Sequence, residues 1–296
     1  MNPKDFIHPE DAKALEQLER VPGLSALIKK ALSLGLENLQ YGINMASTVR
    51  LSEHQLPKYY NRLPPICERL GIEVPELYLR NNPNPNAWTF GDTRVYITVT
   101  SGLIDMMSTE ELDAVLAHEC GHILCRHVLY HSIATYIMEG MDILGILGAL
   151  TLPLKYAILH WDRMSELSAD RAACIVTSPE TVASVMCRLS GGPQSITKDI
   201  NLDLWAKQAD EYDVIKNENL WSKTLQLMVI MEQMHPFAAV RVREILKWSR
   251  SEDYQMIFNK ANAISSSVPC PFCGKSVFND WHYCRHCGNP LSQRLQ

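Results

Sequence analysis

Residues 108–124 read Ser108-Thr109-Glu110-Glu111-Leu112-Asp113-Ala114-Val115-Leu116-Ala117-His118-Glu119-Cys120-Gly121-His122-Ile123-Leu124. Ser108 is a natural N-cap, and Glu110 and Glu111 put negative charge into the first turn. Leu112, Val115, Leu116, Ile123 and Leu124 recur at helical spacing. The pattern predicts one helix from Ser108 to Ile133, interrupted by no proline and by the single glycine Gly121. An α-helix turns by about 100° per residue, so His118 and His122 share a face one turn apart. Two imidazoles so placed can grip one zinc ion, and Glu119 beside them can act on its bound water. Gly121, lacking a side chain, would let another backbone come close to the metal.

A catalytic zinc needs three protein ligands and one open position. A histidine six residues beyond His122 would supply the third in one common pattern, but Val128 stands there. His127 and His131 would point about 140° and 180° away from His122 on a continuous helix, which makes them packing or surface residues. A better source is the run Arg163-Met164-Ser165-Glu166-Leu167-Ser168-Ala169-Asp170-Arg171-Ala172-Ala173. Glu166 and Asp170 are four apart and share a helical face. One carboxylate could sit on the ion while the other hydrogen-bonds a ligand imidazole. Ala169, Ala172 and Ala173 are small, as close packing of two helices requires.

With these motifs the chain resembles the gluzincin metallopeptidases of the HtpX and CAAX prenyl protease group. The resemblance is carried by His118-Glu119-Cys120-Gly121-His122, by the run from Glu166 to Ala172, by Pro85-Asn86-Ala87-Trp88, and by His235-Pro236 followed by Arg241 and Arg243. It covers residues 55–250. It implies zinc at His118, His122 and Glu166, with Glu119 as general base and Asp170 orienting a ligand histidine. It also implies a fold of α+β class, mostly helical, with a small β-sheet.

The chemistry expected is hydrolysis of peptide bonds in flexible or unfolded protein. Zinc lowers the pKa of bound water toward about 7, and Glu119 takes the proton as that water attacks the carbonyl and then carries it to the departing amine. The oxyanion needs a further positive partner. The resemblance offers His235, with Arg241 and Arg243 as rivals; Pro236 equally suits a plain first helical turn. Residues 76–80, 88–90 and 95–99 have β-type composition, and Gly91-Asp92 signals a hairpin. In resembling peptidases an exposed edge strand pairs with extended substrate, and the stretch Asn86, Ala87, Trp88, Thr89 and Phe90 is the candidate here.

The C-terminal residues carry a second pattern. Cys270-Pro271-Phe272-Cys273-Gly274 and Cys284-Arg285-His286-Cys287-Gly288 are matched knuckles separated by ten residues. They predict a Cys₄ zinc ribbon over residues 268–296, with a closed and therefore structural site. Phe278, Trp281 and Tyr283 would form its small core. The cofactor expectation is one catalytic and one structural Zn²⁺. The ribbon suits docking to a protein partner, since its few basic residues argue against nucleic acid.

The remaining chain sets bounds. Residues 1–262 form the expected peptidase domain, with a helical segment over 1–72 and a catalytic core over 73–262; Ser265-Ser266-Ser267 reads as the linker. Leu24, Ile28, Leu32, Leu36, Leu39 and Ile43 read as one buried face of one helix, and the Leu225–Met234 stretch as core rather than a cofactor site. A net charge of −5 gives no cue for nucleic acid or an acidic membrane surface. Nine cysteines include Cys67, Cys120, Cys125, Cys174 and Cys187 outside the knuckles. That scatter, with a polar start from Met1 to Glu10, predicts a reducing, cytoplasmic setting. Cys120 and Cys125 read as buried apolar residues. The apolar stretch 143–154 is shorter than the roughly 20 residues a spanning helix needs, so peripheral membrane contact is the most it supports. Two further readings stand beside the enzyme: a pseudo-peptidase or adaptor binding through the edge strand and ribbon, and a latent enzyme whose own insertion or ribbon fills the cleft.

Overall fold

The computed structural model describes residues 1–31, 35, 37–138, 151–217, 237–264, 267–274, 276–278, 287 and 289–291. Its sheet is built from β1 (Val49–Arg50), β2 (Glu76–Arg80), β3 (Ala87–Phe90) and β4 (Tyr96–Thr100), in the order β1-β2-β4-β3. β4 is central and buried along its whole length. It runs parallel to β2, with Glu76 opposite Tyr96, and antiparallel to β3, with Trp88 opposite Thr98. The expected hairpin therefore forms. Its turn requires glycine: Gly91 has φ +122°, and a Cβ there would lie 2.2 Å from Arg94 O. β3 is left as an edge strand.

The motif helix spans Thr109–Leu124 with Ser108 as the expected N-cap, and Glu111 completes a capping box in which the two residues satisfy each other's backbone N–H. It does not run on to Ile133. Arg126 takes φ +61°, and a separate helix begins at Val128 and continues to Met138. A non-glycine residue in this conformation costs about 1–2 kcal/mol. The turn brings His127 and His131 back against His122 instead of carrying them to the far side, and buries both of them.

The motif helix packs on a long helix, Leu152–Val176, which carries Glu166 and Asp170. The contact needs a glycine. A Cβ on Gly121 would stand 2.8 Å from Ala172 Cβ and 3.0 Å from Ala169 Cα. One core layer joins Leu112, Val115, Leu116, Ala173, Val182, Val242 and Ile245. A second joins the sheet residues Tyr78, Phe90 and Tyr96 to Tyr130, Ile133 and Trp161, and to Leu18 and Ile28 of the N-terminal helices.

The N-terminal apolar pattern is not one helix face. Helices Leu24–Ala31 and Glu37–Ser47 are distinct, with Gly35 at φ +115° between them. Leu24 and Ile28 are buried, whereas Leu39 and Ile43 are 53% and 50% exposed. Glu37, at the start of the second helix, is buried instead, and its carboxylate accepts the backbone N–H groups of Asp92, Thr93 and Arg94. Leu32, Leu36, the Leu225–Met234 stretch and most of the 143–154 stretch lie outside the described residues. Among the described residues no helix is long and apolar enough to cross a membrane. The last long helix, Glu252–Ile264, runs into the stretch expected as linker, and β5 (Ser267–Pro269) and β6 (Ser276–Phe278) follow as an antiparallel pair.

Candidate active site

His118 and His122 project from one face of the motif helix toward Glu166. His118 Nε2 lies 3.5 Å from Glu166 Oε2, and His122 Nε2 lies 3.3 Å from Glu166 Oε1. The two Nε2 atoms are 3.2 Å apart. All three residues are buried. The expected third ligand from the distant helix is therefore brought to the pair.

The outer face of His118 is held by Asp170, whose Oδ1 sits 3.0 Å from Nδ1. That assigns the proton to Nδ1 and turns the Nε2 lone pair inward. Arg241, from the helix Ala238–Ser249, fixes both carboxylates. Its Nε and Nη2 donate to Asp170 at 2.8 and 2.6 Å, and its Nη1 lies 2.8 Å from Glu166 Oε2. Burial pushes Glu166 up, but the Arg241 charge and His118 hold it well below the usual carboxylate range. Asp170 is likewise held low against burial by Arg241 and His118. Arg241 is thus committed to these carboxylates. Arg243 faces Asp210, Asp213 and Glu244. Arg241 also lines the cavity beside His118 and Glu119, and His235 lies outside the described residues.

A divalent cation fits this donor set. Two inward imidazole nitrogens and an ionised carboxylate converge, with no donor hydrogen needed among them. Among the protein groups alone, the demand for positive charge falls on His118. Burial opposes its protonation, but Glu166 and Asp170 push it up to about 10. Burial and the His118 charge push His122 down to about 3. Two histidines and a carboxylate are a donor set for catalytic zinc.

Glu119 lies beside this cluster and is 3% exposed. Thr89 Oγ1 donates to Glu119 Oε2 at 2.6 Å, which ties the edge strand to the motif helix. A cavity of about 230 Å³ is lined by His118 and Glu119 on one side and Asn86 and Ala87 on another. Val115, Val182, Val185, Met186 and Leu189 give it an apolar wall. Of the proposed edge-strand residues, Ala87, Thr89 and Phe90 are buried, while Asn86 and Trp88 are partly exposed.

Sequence reasoning missed several residues. The Thr89 hydroxyl was legible only as strand composition. Arg241 was named only as a rival to His235 for the oxyanion, and its bracing of Glu166 and Asp170 was not read. His127 and His131 were set aside by the geometry of a continuous helix. His131 stacks on His122 with ring centroids 5.1 Å apart, and its Nδ1 lies 2.7 Å from Asp162 Oδ1. Cys120 and Cys125 are buried as expected, and Cys120 Sγ lies 3.8 Å from Cys67 Sγ.

In the C-terminal segment, Cys270, Cys273 and Cys287 offer sulfur atoms within 4.8 Å of one another. Gly274, at φ +73°, turns the first knuckle and donates its N–H to Cys270 O at 2.9 Å. Phe272 N–H and Asn289 Nδ2 approach Cys270 and Cys287 sulfur at 3.5 Å. Cys284 lies outside the described residues, as do Trp281 and Tyr283 and the side chain of Phe278.

Comparison with known proteins agrees with this geometry. The family described as Peptidase family M48 matches residues 64–249. The plastoglobule-localized metallopeptidase 48, chloroplastic, of Arabidopsis thaliana is 35% identical over 271 residues, covering 88% of this chain and 77% of that protein. A protease HtpX homolog of Pelotomaculum thermopropionicum is 34% identical over 117 residues, covering 37% of this chain and 42% of that protein. Protease HtpX homolog 2 of Methanosarcina mazei is 28% identical over 169 residues, covering 48% of this chain and 58% of that protein. No solved structure matches the chain. The chain belongs to peptidase family M48 and is an HtpX-like zinc metallopeptidase, a hydrolase.

Proposed function

We propose that the chain is a zinc-dependent endopeptidase acting on flexible or unfolded protein, with Glu119 as its general base. The observation that carries this reading is the placement of Glu119. Its carboxylate stands next to His118 in the wall of a cavity that also meets the edge-strand residues Asn86 and Ala87. His118, His122 and Glu166 are the residues that would hold the ion. Zinc held there supplies Lewis-acid polarisation of the scissile carbonyl and makes water acidic enough to be deprotonated near neutral pH.

The chain's own residues do the rest. Glu119 accepts a proton from the attacking water and returns it to the leaving amine. Thr89 holds one oxygen of Glu119 and leaves the other for that proton. β3 ends the sheet, so an extended peptide can pair with its outer edge through main-chain hydrogen bonds. Such pairing reads backbone, which favours broad specificity, while the apolar cavity wall suits an aliphatic side chain. His235 remains the proposed oxyanion partner.

The Cys₄ ribbon over 268–296, its structural zinc and its docking role are proposals of the same kind. So is the division into a 1–262 peptidase domain and the ribbon. Free cysteines throughout the described residues support a reducing compartment such as the cytoplasm. The Arabidopsis relative is named as plastoglobule-localized and chloroplastic. Cell fractionation decides between these locations and tests peripheral membrane contact.

One observation favours a second reading, a latent enzyme. His118, Glu119 and His122 are only 8%, 3% and 1% exposed, and the adjoining cavity is about 230 Å³. Ligand pockets usually measure about 300–1,000 Å³. The test is cleavage of a denatured protein by wild type and Glu119→Gln. The variant is expected to bind zinc normally and to lose about 100- to 10,000-fold in kcat. Equal inertness of both forms defeats the active-enzyme reading. Removal of residues 262–296 that restores cleavage then identifies tail inhibition.

A further inference from the structure

The outer face of His122 opens onto a closed chain of buried polar groups. His122 Nδ1 lies 3.1 Å from His127 Nδ1. His127 Nε2 lies 3.0 Å from Asp11 Oδ2, an ion-pair contact that falls short of hydrogen-bond geometry. Asp11 also accepts Trp161 Nε1–H at 3.1 Å and the Ser168 hydroxyl at 2.5 Å. Ser168 Oγ in turn accepts the His8 backbone N–H at 2.9 Å. Asp11, His127 and Ser168 are all 0% exposed.

The proton positions in this chain can be assigned from either end. To hold a cation, His122 must present a lone pair at Nε2. Its hydrogen then sits on Nδ1, His127 Nδ1 accepts it, and His127 Nε2–H faces Asp11. From the other end, an indole N–H only donates, so Asp11 must accept from Trp161. Ser168 accepts from a backbone N–H, so its own hydrogen goes to Asp11. Burial pushes the Asp11 carboxyl up, yet the His127 imidazole and the Ser168 hydroxyl outweigh it and hold it below its ordinary value. Both assignments meet at His127 without conflict.

We propose that Asp11, acting through His127, is a positioning residue for His122, so that the N-terminal helix Pro9–Glu19 completes the metal centre. The inference rests on reading His118, His122 and Glu166 as the zinc site. His118 receives its carboxylate directly from Asp170; His122 receives one through an interposed imidazole. The carboxylate comes from a residue upstream of the family-matched stretch. Metal ligands held by such partners are oriented before the ion arrives, and loss of the partner typically weakens metal binding about 10- to 100-fold.

The test uses the full chain and zinc itself, with zinc retention read by chelator competition and folding by circular dichroism. His118→Ala sets the level that reflects loss of this site. Asp11→Asn and His127→Leu are expected to release zinc at about 10- to 100-fold lower chelator concentration than wild type. His127→Gln keeps an oxygen to accept from His122 and an amide to donate to Asp11, and is expected to recover most of the difference. A merely structural role predicts no such split between Gln and Leu in folded protein. Folded Asp11→Asn and His127→Leu chains that hold zinc as wild type does would overturn the inference. Wild type that holds no more zinc than His118→Ala would instead overturn the zinc site on which it rests. Histidine-selective ¹⁵N spectroscopy of zinc-loaded wild type needs no variant. It is expected to show Nδ1–H on His122 and Nε2–H on His127, and the opposite tautomer at His127 refutes the relay.

Discussion

Arg241 is the residue on which the most charge depends. Its guanidinium serves Asp170 with two nitrogens and Glu166 with the third, and all three residues are at most 4% exposed. Removing one partner of a buried ionic cluster typically costs about 3–5 kcal/mol, because the remaining charge is left without water or counterion. Arg241→Met is expected to destabilise the fold by that amount, measured by urea unfolding of the metal-free chain. Arg241→Lys should recover only part of it, since an ammonium cannot reproduce the planar fork. Glu37 makes a comparable argument at the edge of the sheet. Burial raises its pKa, but backbone hydrogen bonds from Arg94 and Asp92 and the contacts of Thr93 outweigh that and hold it below its ordinary 4.5. A carboxyl lowered in the folded state stabilises fully above its unfolded pKa and loses that contribution as pH falls through the folded value. Glu37→Gln is therefore expected to cost about 1–2 kcal/mol at pH 7, a difference that shrinks steadily below pH 4.5. A gap that stays constant between neutral and acid unfolding curves would rule out the charged contact as its source.

At the scale of elements, the metal centre depends on how closely two helices approach. Gly121 sits where the Leu152–Val176 helix comes nearest, and a methyl group there would meet Ala172 Cβ at 2.8 Å and Ala169 Cα at 3.0 Å. The backbone atom cannot yield cheaply, so Gly121→Ala must push the helices apart. Overpacking of this kind costs about 1–3 kcal/mol. The same displacement carries Glu166 and Asp170 away from His118 and His122, so zinc affinity should fall together with stability. A variant that loses stability but holds zinc unchanged would show that the helices yield elsewhere. This contact was legible in sequence because it joins a glycine inside one motif to the alanines inside another. The N-cap at Ser108 and the hairpin at Gly91 were legible for the same reason: each is written within a few residues. The break at Arg126 was not, since no glycine or proline marks it and only the burial of His127 and His131 rewards it. Nor was the split at Gly35 read from the sequence. A repeat of leucines at three and four looks the same whether it lies on one helix or two, and the exposure of Leu39 and Ile43 is decided by what packs nearby. Asp11 was invisible as a site residue, and Thr89, named only for the edge strand, was invisible as a partner of Glu119, because those roles exist only across tertiary contacts.

On the scale of the whole molecule, two donor sets of different chemistry can be separated by experiment. The central set is two imidazoles and a carboxylate, buried and braced by Asp170 and Arg241. The C-terminal set is sulfur, with Cys273 and Cys287 exposed. Four thiolates would saturate a tetrahedral ion, whereas the central set leaves a position open for water. Structural zinc in such knuckles contributes on the order of 10–16 kcal/mol of apparent binding energy, so a segment too short to fold on apolar burial can fold around it. Elemental analysis of purified full-length chain is therefore expected to find about two zinc ions. Glu166→Gln should lower that to about one and abolish cleavage, because the lost ion is the one beside Glu119. Cys270→Ser combined with Cys273→Ser should also leave about one, yet keep kcat/KM on a short peptide within about twofold, since no sulfur enters the catalytic chemistry. Thermal unfolding adds an independent reading, because an ion that binds only the folded state raises its stability by mass action. Wild type should then lose one cooperative stabilisation on mild chelation and the cysteine variant should show the same loss. If the cysteine variant retains both ions, the sulfur cluster is not a zinc site. If it loses both ions or its peptidase activity, the two centres are coupled and the C-terminal segment belongs to the catalytic unit.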